Sequence, residues 1–156
     1  MRPRPGVEKR RVPLWLNHEA VRFVWSAAAV SWMALIFYFS SRSPEALPAP
    51  KALAWFGSMQ NIVAHLALFG VLGPLLLAAC WTWMSGAAGQ WRWVLLAAAM
   101  GALYGVLDEY HQSFVPGRKA TLFDVAVDGA GIWLGLGGLQ GAFLLISGLR
   151  QRRLSS

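Results

Sequence analysis

The chain has 156 residues, of which 56% are hydrophobic and 13% charged, and a net charge of +7. A water-soluble domain carries about 25% charged residues, so this chain has too little charge to cover a surface facing water, and a mean hydropathy of +0.45 points to lipid as its solvent. The excess of basic residues does not mark a nucleic-acid binder: Arg2, Arg4, Lys9, Arg10 and Arg11 precede the first apolar run, and Arg150, Arg152 and Arg153 follow the last. So placed, they read as topology signals and as contacts for anionic lipid headgroups.

Residues 23–39 form the first apolar run. Its basic front resembles that of a secretion signal, but its apolar core is longer than the usual h-region of roughly 7–15 residues. The following Ser40-Ser41-Arg42-Ser43-Pro44 is a poor cleavage site. An uncleaved anchor is expected. Three prolines between residues 44 and 50 then predict extended or irregular backbone. The second run, residues 62–81, carries His65 one turn inside and Asn61 one turn before it. Cys80, the single cysteine, lies near its far end. It excludes an intrachain disulfide and a cysteine zinc cluster, and reads as a buried inert thiol.

Trp81, Trp83, Trp91 and Trp93 bracket the next loop as an aromatic belt. The third run, residues 93–107, is short for a span of about 20 residues, unless its helix continues through the polar residues after Leu107. If it does, Asp108, His111 and Gln112 share one face with Tyr104, while Glu109 lies about 100° away and is expected to meet water. Pro116-Gly117 supplies a turn, and Arg118 and Lys119 follow. The fourth run, residues 122–146, opens with Asp124 and Asp128. Continued at helical spacing, these lead to Gly131, Gly135 and Gly138. A stripe of acid and glycine is expected to face protein, because a lipid-facing Asp is expensive and glycine lets helices approach closely.

These runs predict an all-α integral membrane bundle of four transmembrane helices: a basic tail over residues 1–20, the bundle over 21–148 and a second basic tail over 149–156. Basic bias puts both termini in the cytoplasm, in a multi-pass protein of the plasma (inner) membrane. The 40–59 and 108–121 loops then face outward. Ser40, Ser41, Arg42, Asn61, His65, Asp108, Glu109, His111, Gln112, Arg118, Asp124 and Asp128 all fall in that outer leaflet. Such convergence of distant polar residues marks a candidate site.

The chain resembles the VanZ-like family. The resemblance rests on Phe39-Ser40-Ser41-Arg42, on Asn61 and His65 followed by Gly70 and Leu72-Gly73, and above all on the stretch from Asp108-Glu109-Tyr110-His111-Gln112 through Pro116-Gly117-Arg118 to Asp124, Asp128 and Gly131. It covers roughly residues 39–135. Members often carry a Lys three residues before the second-span His; here Ile62 stands there, which puts a basic contact at that point in doubt. The family takes its name from a protein giving low-level resistance to glycopeptide antibiotics of the teicoplanin type, so the resemblance implies such a role.

Three functions are open to this cluster. The first is binding of an envelope lipid or a lipid-linked cell-wall precursor, with Ser41, Arg42, His65, Asp108, Glu109, His111, Gln112, Arg118, Asp124 and Asp128 as the binding residues and Lys119 beside them. Guanidinium, ammonium and imidazole groups engage phosphate, and carboxylates accept hydrogen bonds from sugar or peptide groups. The second is a metal-assisted hydrolase or transferase acting on a lipid headgroup, with Asp108, His111 and Asp124 as catalytic candidates. Against it, Asp-Glu-x-His is not a zinc-helix signature, and no Ser or Cys nucleophile stands out. The third is a structural network in which Asp124 or Asp128 pairs with Arg118 and a histidine bridges a carboxylate. No cofactor is predicted, although the carboxylates admit a divalent cation. Membrane lipids are the expected partners, nucleic acid is not one, and an oligomer is compatible with the sequence.

Overall fold

The computed structural model describes residues 18–43, 46, 59–84 and 91–154, with side chains as far as residue 142. The basic stretch before residue 18, most of the proline-rich 44–50 segment and the 85–90 loop lie outside the described residues. Four helices follow one another: α1 (His18–Ser40), α2 (Gln60–Trp83), α3 (Trp91–Gln112) and α4 (Leu122–Leu154). The described residues are all-helical and contain no strand. The third helix does run on past Leu107, through Gln112. The fourth is longer than its apolar run and stays helical through residues 149–154 of the basic tail.

Three of the helices are long and apolar enough to cross a membrane: His18–Ser40, Gln60–Trp83 and the Leu122–Ala142 part of α4. The expectation of four such spans holds for three. Helix α3 has the length, at 22 residues, but its last turns carry Asp108, Glu109, His111 and Gln112. Its shortfall is therefore in composition.

The helices alternate in direction. Hydrogen bonds from Arg22 Nε to the Thr82 carbonyl (2.9 Å) and from Trp83 Nε1 to Ser26 Oγ (2.8 Å) join the start of α1 to the end of α2. At the opposite end the close of α1 meets the close of α3, and the start of α2 meets the start of α4. Among the described residues the backbones of α1 and α4 make no close approach, and each packs on α2 and α3. The most extensive interface joins α2 to α4, and glycine makes it close. A Cβ placed on Gly131 would lie 2.9 Å from the Leu66 carbonyl oxygen, and one on Gly73 2.9 Å from that of Ile132. Gly135 approaches the Gly70 carbonyl, which Pro74, lacking an N–H, leaves without its helical donor. The stripe packs only this far: nothing lies within 4 Å of a Cβ on Gly138.

Ala29, Ile36, Phe69, Leu72, Leu76, Ala97, Ala98, Ile132 and Leu136 form the core. Val30, Phe37, Leu95, Leu103, Val106, Leu107 and Leu134 are mostly exposed on the outside. An apolar exterior around a core this small is the arrangement of a helix bundle solvated by lipid.

Candidate functional site

The polar residues gather where α1 and α3 end and α2 and α4 begin. Ser40, His65, Asp108, Glu109, Gln112, Asp124 and Asp128 are all buried there. Buried polar groups are costly unless they are partnered, and most of these are. They fall into two adjoining networks around α3.

The first network joins α3 to α1. Asp108 Oδ2 accepts from Ser40 Oγ at 2.8 Å and from Gln112 Nε2, one turn on, at 2.9 Å. Ser41 gives its hydroxyl proton to the Phe37 carbonyl (2.7 Å), and His111 Nε2 lies 3.0 Å from Ser41 Oγ. With that proton committed, the imidazole N–H is the donor. The His111 ring also packs on Phe37, centroid to centroid 4.4 Å. One turn inward, Tyr104 donates to the Met33 carbonyl at 2.6 Å.

The second network joins α2, α3 and α4. His65 Nδ1 lies 2.8 Å from Asp128 Oδ1. Glu109 Oε2 accepts the Thr121 N–H at 3.0 Å. Thr121 is the cap of α4: its Oγ1 accepts the Asp124 N–H at 3.1 Å and donates to Asp124 Oδ2 at 2.7 Å. This is the reciprocal logic of a capping box, with Glu109 of another helix taking the cap's own N–H. One ligand atom each from His65, Glu109 and Asp128 lies within 4.8 Å of the other two.

Three buried carboxylate oxygens have no hydrogen-bond partner among the described residues: Asp108 Oδ1, Glu109 Oε1 and Asp128 Oδ2. Two of the three belong to the His65–Glu109–Asp128 group.

Arg118 corrects one expectation. It pairs with neither Asp124 nor Asp128; its Nε donates to the Arg42 carbonyl (3.0 Å) and a terminal nitrogen to that of Phe39 (2.9 Å). These carbonyls close α1, whose C-terminal partial charge attracts a cation. The guanidinium thus clamps the 113–121 loop onto the end of α1. Arg42 itself is exposed and stacks over Tyr38, 4.6 Å from the ring centre, with a 3.1 Å bond to its hydroxyl. Lys119 is exposed on the same loop.

Glu109 corrects another. It was expected to meet water, yet it is 4% exposed. Helix α3 has protein on two sides, so two faces about 100° apart are both buried: Asp108 looks to α1 and Glu109 to α4. Thr121 was missing from the expected site residues, and Ser40, counted in the polar convergence, was not among the expected binding residues. The Thr-x-x-Asp spacing of Thr121 and Asp124 is the signal by which the first could have been found. Among the described residues no hydrogen bond links any two of the catalytic candidates Asp108, His111 and Asp124, and the three-helix carboxylate–imidazole group includes none of them. Asn61 is exposed.

The fold and this buried polar end define a small helical membrane protein with an ionisable cluster at one mouth of the bundle. The family model for VanZ/LLP1 matches residues 25–145, and the chain belongs to that family. No curated protein and no solved structure matches it.

Proposed function

We propose that the chain is a multi-pass protein of the plasma (inner) membrane that binds the phosphorylated headgroup of an envelope lipid, or of a lipid-linked cell-wall precursor, at its polar end. The reading takes all four helices as spans, with both termini cytoplasmic and the polar end outward. Helix α3, at 22 residues, is about 33 Å long, enough for a hydrocarbon core of about 30 Å. Asp108, Glu109 and Gln112 do not oppose insertion, because they are turned into the bundle. Basic residues at the two ends of the sequence favour the cytoplasmic side.

The observation that carries the reading is the rim of cations above a buried hydrogen-bonded floor. Arg118 fastens its loop to the backbone of Arg42, which sets two guanidinium-bearing residues side by side, with exposed Lys119 next in sequence and His111 and Ser41 alongside. Phosphate is the group that such a rim recognises, and the apolar exterior leaves room for acyl or prenyl chains in the surrounding lipid. A part in resistance to teicoplanin-type glycopeptides follows from the same reading, through the lipid-linked precursor.

The test is mass spectrometry of lipids retained by the protein purified from its own membrane. Wild type is expected to retain a phospholipid or polyprenyl phosphate, and an Arg42→Gln, Lys119→Gln double variant to lose it. Both positions are exposed and outside the buried network, so folding is expected to survive. Equal retention by the two proteins, or none by either, removes the proposal.

A further inference from the structure

We propose that His65, Glu109 and Asp128 form a binding site for a divalent first-row transition-metal ion, buried where α2, α3 and α4 meet. The inference goes beyond headgroup binding and does not rest on it.

Three independent features converge on it. The residues come from three helices, and one ligand atom of each lies within 4.8 Å of the others. Glu109 is 4% exposed and Asp128 1%, and each carries an oxygen, Oε1 and Oδ2 respectively, that accepts no hydrogen bond from the described residues. The Arg118 guanidinium, one expected partner of Asp128, is turned to the α1 carbonyls instead. Two carboxylates are thus held together in a poorly solvated place, where an uncompensated charge is strongly disfavoured. A divalent cation with two carboxylates and a neutral imidazole is a neutral unit.

The donor set selects the class of ion. One nitrogen and carboxylate oxygens suit Zn²⁺, Mn²⁺ or Fe²⁺, whereas Mg²⁺ prefers oxygen alone and keeps several waters. Ligand atoms about 2.1 Å from a tetrahedral ion lie roughly 3.4 Å apart. The ligand atoms lie within 4.8 Å of one another, so side-chain movements of up to about 1.4 Å bring them to that separation, the ion replacing the proton held between His65 Nδ1 and Asp128 Oδ1 at 2.8 Å. Glu109 is well placed to deliver it: its carboxylate bonds the cap of α4 through Oε2 alone, leaving Oε1 for the ion. Gly105 opposes Asp128 across the interface, where an added Cβ would lie 3.2 Å from Oδ2. A side chain there would crowd the oxygen the ion needs.

The experiment uses the full chain in detergent, without a polyhistidine tag, stripped with chelator and equilibrated with Zn²⁺ in the presence of excess Mg²⁺. Wild type is expected to hold about one equivalent and Glu109→Gln at least roughly tenfold less, since even supporting carboxylates of a metal site are worth that much. His18→Ala, altered at an exposed histidine outside the cluster, is expected to match wild type. X-ray absorption of the loaded wild type reads the same site without any substitution, and is expected to show a single imidazole among oxygen ligands. Should wild type bind no stoichiometric zinc, or Glu109→Gln bind as much, or the spectrum show sulfur from Cys80, the acids are neutralised by protons alone and the proposal is overturned.

Discussion

Gly131→Ala is the substitution whose cost can be worked out most directly. The new Cβ would sit 2.9 Å from the Leu66 carbonyl oxygen and 3.2 Å from both Leu66 Cα and Gly70 N. All three are backbone atoms of α2, so no side chain can swing away. The closest ordinary C···O contacts are about 3.3 Å, and α2 and α4 must therefore part by about 0.4 Å. The His65–Asp128 bond crosses the same interface one turn away, at 2.8 Å. Stretched by that amount it reaches about 3.2 Å, the outer edge of good geometry. Overpacking of this kind costs about 1–3 kcal/mol, partly offset by the roughly 1 kcal/mol that Ala gains over Gly in a helix. Gly138→Ala makes the same gain and meets nothing within 4 Å, so it isolates the packing term. In thermal or denaturant unfolding in detergent, Gly131→Ala should be about 1–3 kcal/mol less stable than Gly138→Ala. Equal stability of the two variants would refute close α2–α4 packing as the frame of the polar end.

Other substitutions probe the two networks and the topology. Arg118→Ala loses two charge-assisted bonds to the end of α1 and should destabilise the protein by about 2–3 kcal/mol; Arg118→Lys should recover little of this, because an ammonium lacks the planar fork. Ser40→Ala removes one of two donors to buried Asp108, at a cost of about 1–3 kcal/mol, whereas Ser113→Ala, on an exposed hydroxyl, should be near neutral in the same unfolding assay. Cysteine placed at Ser113 in intact cells should react with a membrane-impermeant maleimide added from outside, and cysteine at Met84 should not; the reverse pattern would invert the topology.

Much of this architecture could be read from the sequence because lipid imposes simple rules. Long apolar runs bounded by Trp and basic residues become helices, and Asp124 and Asp128, spaced with Gly131 and Gly135, have to face protein. All four do so, although Gly138, on the same stripe, does not. Helical periodicity also brought Asp108 and Gln112 to one buried face. What the sequence withheld was the number of neighbours each helix has. A wheel drawn for a helix with one partner leaves Glu109 in water; α3 has protein on both sides and buries it. The acid pairing of Arg118 in the structural reading failed for a related reason. Charge alone sends a guanidinium to the nearest acid, but the carbonyls closing α1 are strong acceptors that a residue-by-residue reading does not display. The acids were legible as a group. Their division between a network joining α3 to α1 and one joining α2, α3 and α4 depended on packing.

The measurement that bears most directly on the proposed function is headgroup selection in a defined bilayer. Native mass spectrometry of the protein released from nanodiscs holding equal amounts of phosphatidic acid and diacylglycerol reads phosphate recognition with the acyl chains held constant. The account predicts that phosphatidic acid stays preferentially bound to wild type and that the preference disappears in the Arg42→Gln, Lys119→Gln variant. Wild type that carries the two lipids in equal measure, or a preference untouched by the double substitution, would contradict it.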